Sequence, residues 1–298
     1  MKKIDLTDKE LMNFIGQQES QEVGDFSSYS ERVASHLRSG ARLIGDKLPW
    51  AKTHDYVRCG EGQLSIWAGI NGHGKSELVT NVMTHFMLNG RKVLIASMEM
   101  KPEEILTSVC SQAAGCEPSV KFSQGLLNDL SETGFIYECE GRVKKERMLG
   151  LVHYAGSELK INHMVIDSLT MCVNRDDYEG QAEFCNNLRA AAKQWNMHIH
   201  LVVHMRKGES ESKMPNKYDI RGAGEISDLT DKLFIVFRNK QREKNQEKFG
   251  DQPGVWLALE KNRQDGDEAN FGLYFHKQSK QFTAFENKTM NLFRGNKV

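Results

Sequence analysis

The stretch Leu64 to Ser76, LSIWAGINGHGKS, decides how the rest of the chain is read. Leu64, Ile66, Trp67 and Ala68 make a short apolar run suited to a buried strand. Gly69, four residues, and then Gly74, Lys75 and Ser76 spell G-x-x-x-x-G-K-[ST], the phosphate-binding loop pattern. Such a loop leaves a strand and enters a helix whose first amides and dipole converge on an anion. Each residue type follows from that task. Gly69, Gly72 and Gly74 let the backbone close round phosphate where a Cβ would collide. Lys75 would reach the β- and γ-phosphates, and the Ser76 hydroxyl would ligate Mg²⁺. A glycine-rich turn with a surface lysine is the plainer alternative. It would not explain the strand before the loop or the amphipathic run after it (Leu78, Val79, Val82, Met83, Phe86). The expected nucleotide site comprises Gly69, Asn71, Gly72, His73, Gly74, Lys75, Ser76 and Glu77, with ATP or another nucleoside triphosphate and Mg²⁺ as its ligands.

Composition narrows the field without naming a partner. Lys plus Arg and Asp plus Glu number 40 each in 298 residues, so formal net charge is zero. Attraction for a polyanion must then come from local clusters. The six cysteines (Cys59, Cys110, Cys116, Cys139, Cys172, Cys185) form no C-x-x-C pair and no metal-ligand spacing. Reduced thiols in a reducing compartment are expected. The N-terminal MKKIDLTDKE lacks the apolar core of a signal peptide, and no apolar run reaches spanning length. The expectation is a soluble cytoplasmic protein without a membrane partner.

Toward the N-terminus, Thr7 and Glu10 read as a capping box, with Leu6 and Leu11 as a hydrophobic staple. They open a short helix showing Leu11, Phe14 and Ile15 on one side, followed by the polar linker QQESQEVGD. Residues 1 to about 25 thus read as separate from the core. A one-sided helix on a tether either docks on a partner or neighbour or stays a weakly ordered tail. A second helix is expected from Phe26 to about Gly40, capped by Ser28 with Glu31 and showing Val33 and Leu37. Strands are expected at 64–68, 92–97, 163–167, 198–204, 232–237, 255–260 and 271–276. Helices are expected at 75–89, 102–115, 144–159 and 179–195. This alternation predicts an α/β fold, with a central, mostly parallel, twisted sheet flanked by helices.

Several expected strands end in polar residues. In KVLIASMEM (92–100), Glu99 lies just past a strand end, at the sheet edge where open α/β folds bind ligands. A carboxylate there can orient and deprotonate a water attacking a γ-phosphate; in isolation it would be a solvated helix cap. HMVIDS (163–168) ends in Asp167, the Walker B arrangement, set to hold Mg²⁺ opposite Ser76. HIHLVVHMRK (198–207) ends in His204, which could donate to a γ-phosphate and register its loss. The long polar loop Met205 to Gly224 carries Arg206, Lys207, Lys213, Lys217 and Arg221. Its cations, with the amides near RGAG (Arg221, Gly222, Ala223, Gly224), could grip phosphates without reading bases. A second basic run, Arg238 to Lys248, reads as a solvated hairpin or turn. In VWLALEKNRQDG (255–266), Lys261 and Arg263 lie two apart on one face of a strand end, with no obvious partners in their own chain. Surface cations are the default there; an arginine finger reaching a neighbour's γ-phosphate is the functional alternative.

Taken together, GINGHGKS (69–76), SMEM (97–100), MVIDS (164–168), VVHMRK (202–207), DIRGAGEISDLTD (219–231) with FRN (237–239), and KNR (261–263) resemble the RecA-like motor domain of the DnaB-like ring helicases. That family includes the Twinkle group and phage primase-helicases. The resemblance covers residues 60 to 276 and implies a RecA-like P-loop ATPase at 60–298. A linker helix and lead-in would occupy 26–59, and an N-terminal helix and tether 1–25. It implies Lys75 and Ser76 as nucleotide and Mg²⁺ ligands, Glu99 as catalytic base, Asp167 as the Walker B aspartate and His204 as γ-phosphate sensor. Arg263, helped by Lys261, would be the finger inserted into the adjacent subunit. Arg206, Lys207 and RGAG would line a central channel for single-stranded DNA, and His276 would lie near the base. The implied function is an ATP-dependent DNA helicase ring, hexameric in type, translocating on single-stranded DNA and unwinding duplex in replication. A separate primase, polymerase or loader would meet it through the N-terminal helix. The stretch before residue 60 is too short for a primase domain, and a compact motor of this kind suggests a phage source. A RecA-like recombinase or mediator, or a regulatory ATPase or helicase loader, are the alternatives that share the P-loop.

Overall fold

The computed structural model describes residues 7–15, 24–39, 43–139, 141–205, 214–220, 223–286 and 288–293. Helices α1 (Asp8–Ile15) and α2 (Ser30–Ser39) precede the sheet. Then follow β1 (Leu64–Gly69), α3 (Lys75–Leu88), β2 (Val93–Ser97), α4 (Pro102–Ala114), α5 (Val120–Asp129), β3 (Gly134–Tyr137) and α6 (Lys145–Tyr154). Next come β4 (His163–Asp167), α7 (Leu169–Cys172), α8 (Tyr178–Trp195), β5 (His198–His204), α9 (Ala223–Leu229) and β6 (Lys232–Arg238). The chain closes with α10 (Lys240–Lys244), α11 (Gln246–Phe249), β7 (Val255–Asn262), β8 (Ala269–His276) and β9 (Gln281–Thr283). The strands form one nine-stranded sheet, ordered β3-β2-β4-β5-β1-β6-β7-β8-β9. From β3 to β6 neighbours run parallel; β6 to β9 are antiparallel.

All six residues of β1 are buried, because a parallel strand inside an α/β sheet is covered on both faces. Alternate side chains feed two cores. Leu64, Ile66 and Ala68 face α6 and α8, where Leu151, Leu188 and Ala192 pack. Trp67 faces α3 and α4 with Leu78, Val82, Phe86 and Ile105, and stacks on Phe234 at 4.2 Å. No helix among the described residues is long and apolar enough to cross a membrane.

The expected strands and helices are present, with ends displaced by a few residues. The sheet also gains β3, β9 and helix α5, none of which was anticipated. The basic run after Arg238 forms the short helices α10 and α11 inside the β6–β7 hairpin connection. Asp25, not Ser28, caps the turn that leads into α2. The Thr7–Glu10 capping box forms as expected, while its staple partner Leu6 lies outside the described residues. Contrary to a detached tail, α1 docks on α6 of its own chain. Leu11 is fully buried, Phe14 meets Tyr154 edge-on at 5.4 Å, and Asp8 pairs with Arg147.

Candidate nucleotide-binding site

Parallel strands deliver their C-terminal ends to one edge, and register makes that edge specific. Gly69 pairs with His204, and Ser97 pairs with Asp167. The loop after β1 therefore sits beside the ends of β4 and β5. A Cβ at Gly69 would stand 2.5 Å from the Val236 carbonyl oxygen, so only glycine fits there. Gly72 and Gly74 hold φ of +78° and +83°, the left-handed region glycine occupies without strain.

Lys75 opens α3 and is almost entirely buried. Its Nζ folds back to donate to the Ile70 carbonyl at 3.1 Å. Burial lowers its ammonium to about 8, although Asp167 and Glu99 pull the other way. Burial raises the Asp167 carboxyl, against a hydrogen bond from Ser76. Its other oxygen, Oδ1, is buried without a hydrogen-bond partner among the described residues. An acceptor left over beside a serine hydroxyl, on a buried carboxylate, fits a hard divalent cation. Ser76 and Asp167 would hold Mg²⁺ there.

Glu99 is tied to the same edge. Its Oε1 accepts from Ser168 Oγ at 2.9 Å and from His204 Nε2 at 3.0 Å. The His204 bond is the main cause that holds its carboxyl below the usual value. His204 Nδ1 is buried without a partner among the described residues. In front lies a cavity of about 330 Å³, walled by Asn71, Glu99 and His204 on one side and Arg142, Thr170 and Arg175 on the other. Nothing in the sequence around Arg142 or Arg175 signalled this placement. Arg142 is fixed by donating to the carbonyls of Thr170 and Val173 at 3.0 and 3.3 Å.

Two residues of the expected nucleotide set face elsewhere. The Glu77 carboxylate is turned to α4, accepting from Gln112 Nε2 at 2.9 Å and Ser108 Oγ at 3.3 Å. His73 is buried, and its Nδ1 accepts from the Arg238 amide at 3.2 Å. His276 lies at the P-loop edge, since β8 runs parallel to β6, and its Nδ1 meets Ser279 Oγ at 2.9 Å. The β9 residue Phe282 backs the loop, within 3.5 Å of where a Gly74 Cβ would be.

Arg206, Lys207, Lys213, Arg221 and Gly222 lie outside the described residues, and Gly224 belongs to α9. Met205 and Ile220, which flank Arg206, Lys207 and Lys213 in the chain, form a bridge directly after His204. Lys217 pairs with Glu268 at 3.0 Å.

The expectation that Lys261 and Arg263 have no partners in their own chain is wrong. Lys261 Nζ donates to the Ser227 carbonyl at 2.7 Å, Arg263 Nη2 to that of Asp228, and Arg263 Nη1 lies 3.5 Å from Asp231. The reason is local: the C-terminal carbonyls of α9 are unsatisfied within the helix and attract the nearest cations. Because β7 is antiparallel to β6, with Leu233 opposite Lys261, both cations stand at the edge where the parallel strands begin. Lys75 stands where they end.

Away from this site, Cys59, His198 and His200 come close enough to suggest a metal cluster. Their hydrogen bonds argue otherwise. Trp67 Nε1 donates to His200 Nδ1 at 3.1 Å, so His200 Nε2 donates to His163 Nδ1 at 3.1 Å. His163 Nε2 then donates to Asp46 at 2.9 Å. His198 donates from Nδ1 to the Gly60 carbonyl and accepts at Nε2 from Ser65, both at 2.7 Å. Every imidazole nitrogen is satisfied with all three rings neutral, and burial pushes the Cys59 thiol up to about 12.

The family model for the DnaB-like helicase C terminal domain matches residues 58–284. Among solved structures, the ATPase domain of G40P superposes with a TM-score of 0.74, covering 89% of this chain and 100% of that one at 15% identity. A DnaB-like replicative helicase, solved with a view to its interactions with primase, superposes with a TM-score of 0.72 at 15% identity. That match covers 87% of this chain and 68% of the other. At such identity the structural likeness speaks for the fold alone, a RecA-like ATPase.

Proposed function

The chain belongs to the family of the DnaB-like helicase C-terminal domain, and from that premise we propose that it is an ATP-driven ring motor that translocates on single-stranded DNA and unwinds duplex. The observation that carries the reading is the split of the candidate residues between two edges of the sheet. Lys75, Glu99, Asp167 and His204 share one edge; Lys261 and Arg263 stand at the other. A chain so divided cannot bring its own arginine to its own phosphates, so hydrolysis needs a second copy.

Lys75 exchanges the Ile70 carbonyl for the β- and γ-phosphates. Ser76 and Asp167 would hold Mg²⁺, which would supply charge neutralisation on the phosphate oxygens. Glu99 takes the proton of the attacking water, and His204 turns from Glu99 to donate from Nε2 to the γ-phosphate. His204 is followed in the chain by Arg206 and Lys207, so loss of the γ-phosphate would be passed along the chain toward the DNA contacts. Arg206 and Lys207, with Arg221, Gly222 and Gly224, grip the DNA backbone.

ATP hydrolysis measured with and without single-stranded DNA across a salt series tests this. Strong stimulation that fades with salt is expected, because each phosphate contact releases counterions. Turnover indifferent to DNA would overturn the motor and favour a regulatory ATPase.

A further inference from the structure

The end of β4 carries a serine whose contacts no motif explains. Ser168 is fully buried and occupies the N-cap position of α7, where a serine ordinarily turns its hydroxyl to the helix's own amides. Here it makes no such cap. Oγ instead donates to Glu99 Oε1 at 2.9 Å, with Thr170 Oγ1 at 3.2 Å on its other side. His204 Nε2 donates to the same carboxylate oxygen. Two donors on Oε1 fix the carboxylate's rotation. Oε2 has no hydrogen-bond partner among the described residues, and Glu99 borders a cavity large enough to hold water.

We propose that Ser168 is a positioning residue for the base: it clamps one oxygen of Glu99 so that the other is presented to the attacking water. This rests on the reading of Glu99 as that base. The two donors differ in what holds them. His204 begins a loop that has to respond to DNA, so its grip on Glu99 is released when it turns to the γ-phosphate. Ser168 follows directly on β4 and is fully buried, with no loop to carry it away from Glu99. During DNA-stimulated turnover it is then the donor that remains on Oε1.

The test compares Ser168→Ala, Ser168→Thr and Glu99→Gln, alone and combined, in the full chain with single-stranded DNA. Ser168→Ala is expected to lower kcat by about 10- to 150-fold, the range for losing a hydrogen bond to a charged group, with KM for ATP and affinity for a fluorescent ATP analogue unchanged. Ser168→Thr keeps the donor and restores most of the rate. In the Glu99→Gln background, Ser168→Ala should cost less than about twofold in single-turnover hydrolysis, because it acts through the carboxylate. An unchanged kcat, no rescue by threonine, or an equal loss in the Glu99→Gln background would each overturn the proposal. Should the alanine variant bind nucleotide poorly, Ser168→Cys, which keeps the volume and weakens the donor, carries the same expectations. Wild-type turnover in Glu99→Gln alone would instead remove Glu99 as the base, a separate result.

Discussion

Gly69 and Gly72 belong to one motif but are glycine for different reasons, and the difference is measurable. At Gly69 a methyl group would press on the Val236 carbonyl at 2.5 Å and on Lys75 Cδ at 3.2 Å. Neither the backbone of a central strand nor the lysine beneath it can give way, so Gly69→Ala should cost about 1–3 kcal/mol as overpacking. It should also abolish nucleotide binding by displacing Lys75. At Gly72 nothing lies within 4 Å, and only the left-handed φ of +78° opposes a side chain. Gly72→Ala should therefore cost about 1–2 kcal/mol with Lys75 undisturbed. Urea midpoints and nucleotide titration of the two variants check both; equal nucleotide loss would show that loop flexibility governs the site, not the Gly69 approach. The motif itself was legible in the sequence because its spacing is local. What faces its residues was not: Glu77 finds Gln112 35 residues away, and His73 finds the Arg238 amide 165 away.

Among the elements, the long apolar strands announced themselves, whereas β3, β9 and α5 did not. β3 is four half-buried residues and β9 three buried ones, both at sheet edges and too short for alternation to register. Glycine at 125 weakens the pattern of α5. The histidines of β4 and β5 were visible as letters, but only strand register sets His163 beside His198 and makes a buried chain of them. That chain has a pH signature. Burial lowers all three imidazoles, most strongly His198 and His200. The unfolded chain takes up protons below about 6.5 while the native state does not, so stability is full above that pH and falls beneath it. The two most strongly lowered rings alone should remove about 2–3 kcal/mol between pH 7 and 5.5, with His163 adding in the same direction. Asp167 and Glu77, both raised by burial, oppose them, while His85, lowered by burial, acts with them. Urea midpoints that stay flat over this window would mean the rings are charged in the native state. The docking of α1 makes a second prediction. A Cβ at Gly150 would meet the Leu11 carbonyl at 2.5 Å, yet alanine favours the interior of α6 by up to about 1 kcal/mol. Gly150→Ala should leave the core as stable as before and release α1 to limited proteolysis; unaltered cleavage would show that α1 does not sit on this face in solution.

For the whole molecule, the decisive geometry is the length of β6. Its seven residues separate Lys261 and Arg263 from the edge that holds Lys75 by about 20 Å, at about 3.3 Å per residue. One chain therefore offers a pocket at one edge and cations at the other, the form of a head-to-tail contact, which the proposed function takes to close into a ring. An apolar stripe is available for that contact. Phe26, Val33 and Leu37 are 98%, 53% and 71% exposed on and before α2. If Arg263 acts on a neighbour as proposed, it must first leave the α9 carbonyl it holds in its own chain, so assembly and its release would be coupled. Arg263→Ala should retain nucleotide binding and lose about 10³–10⁵ in DNA-stimulated turnover, or about 4–7 kcal/mol of transition-state stabilisation. Loss alone does not say whose arginine was missing; mixing does. Lys75→Ala has no working pocket but keeps its cations, and Arg263→Ala has the reverse. Neither should hydrolyse alone, while an equimolar mixture should recover about a quarter of wild-type seams, if subunits assort at random in a head-to-tail ring. Adding Leu37→Asp to both partners should abolish the recovery and leave nucleotide binding intact, as sedimentation and turnover together would show. Two inactive variants that stay inactive when mixed, in rings of normal size, would return Arg263 to the role its hydrogen bonds already give it, a cap on the end of α9.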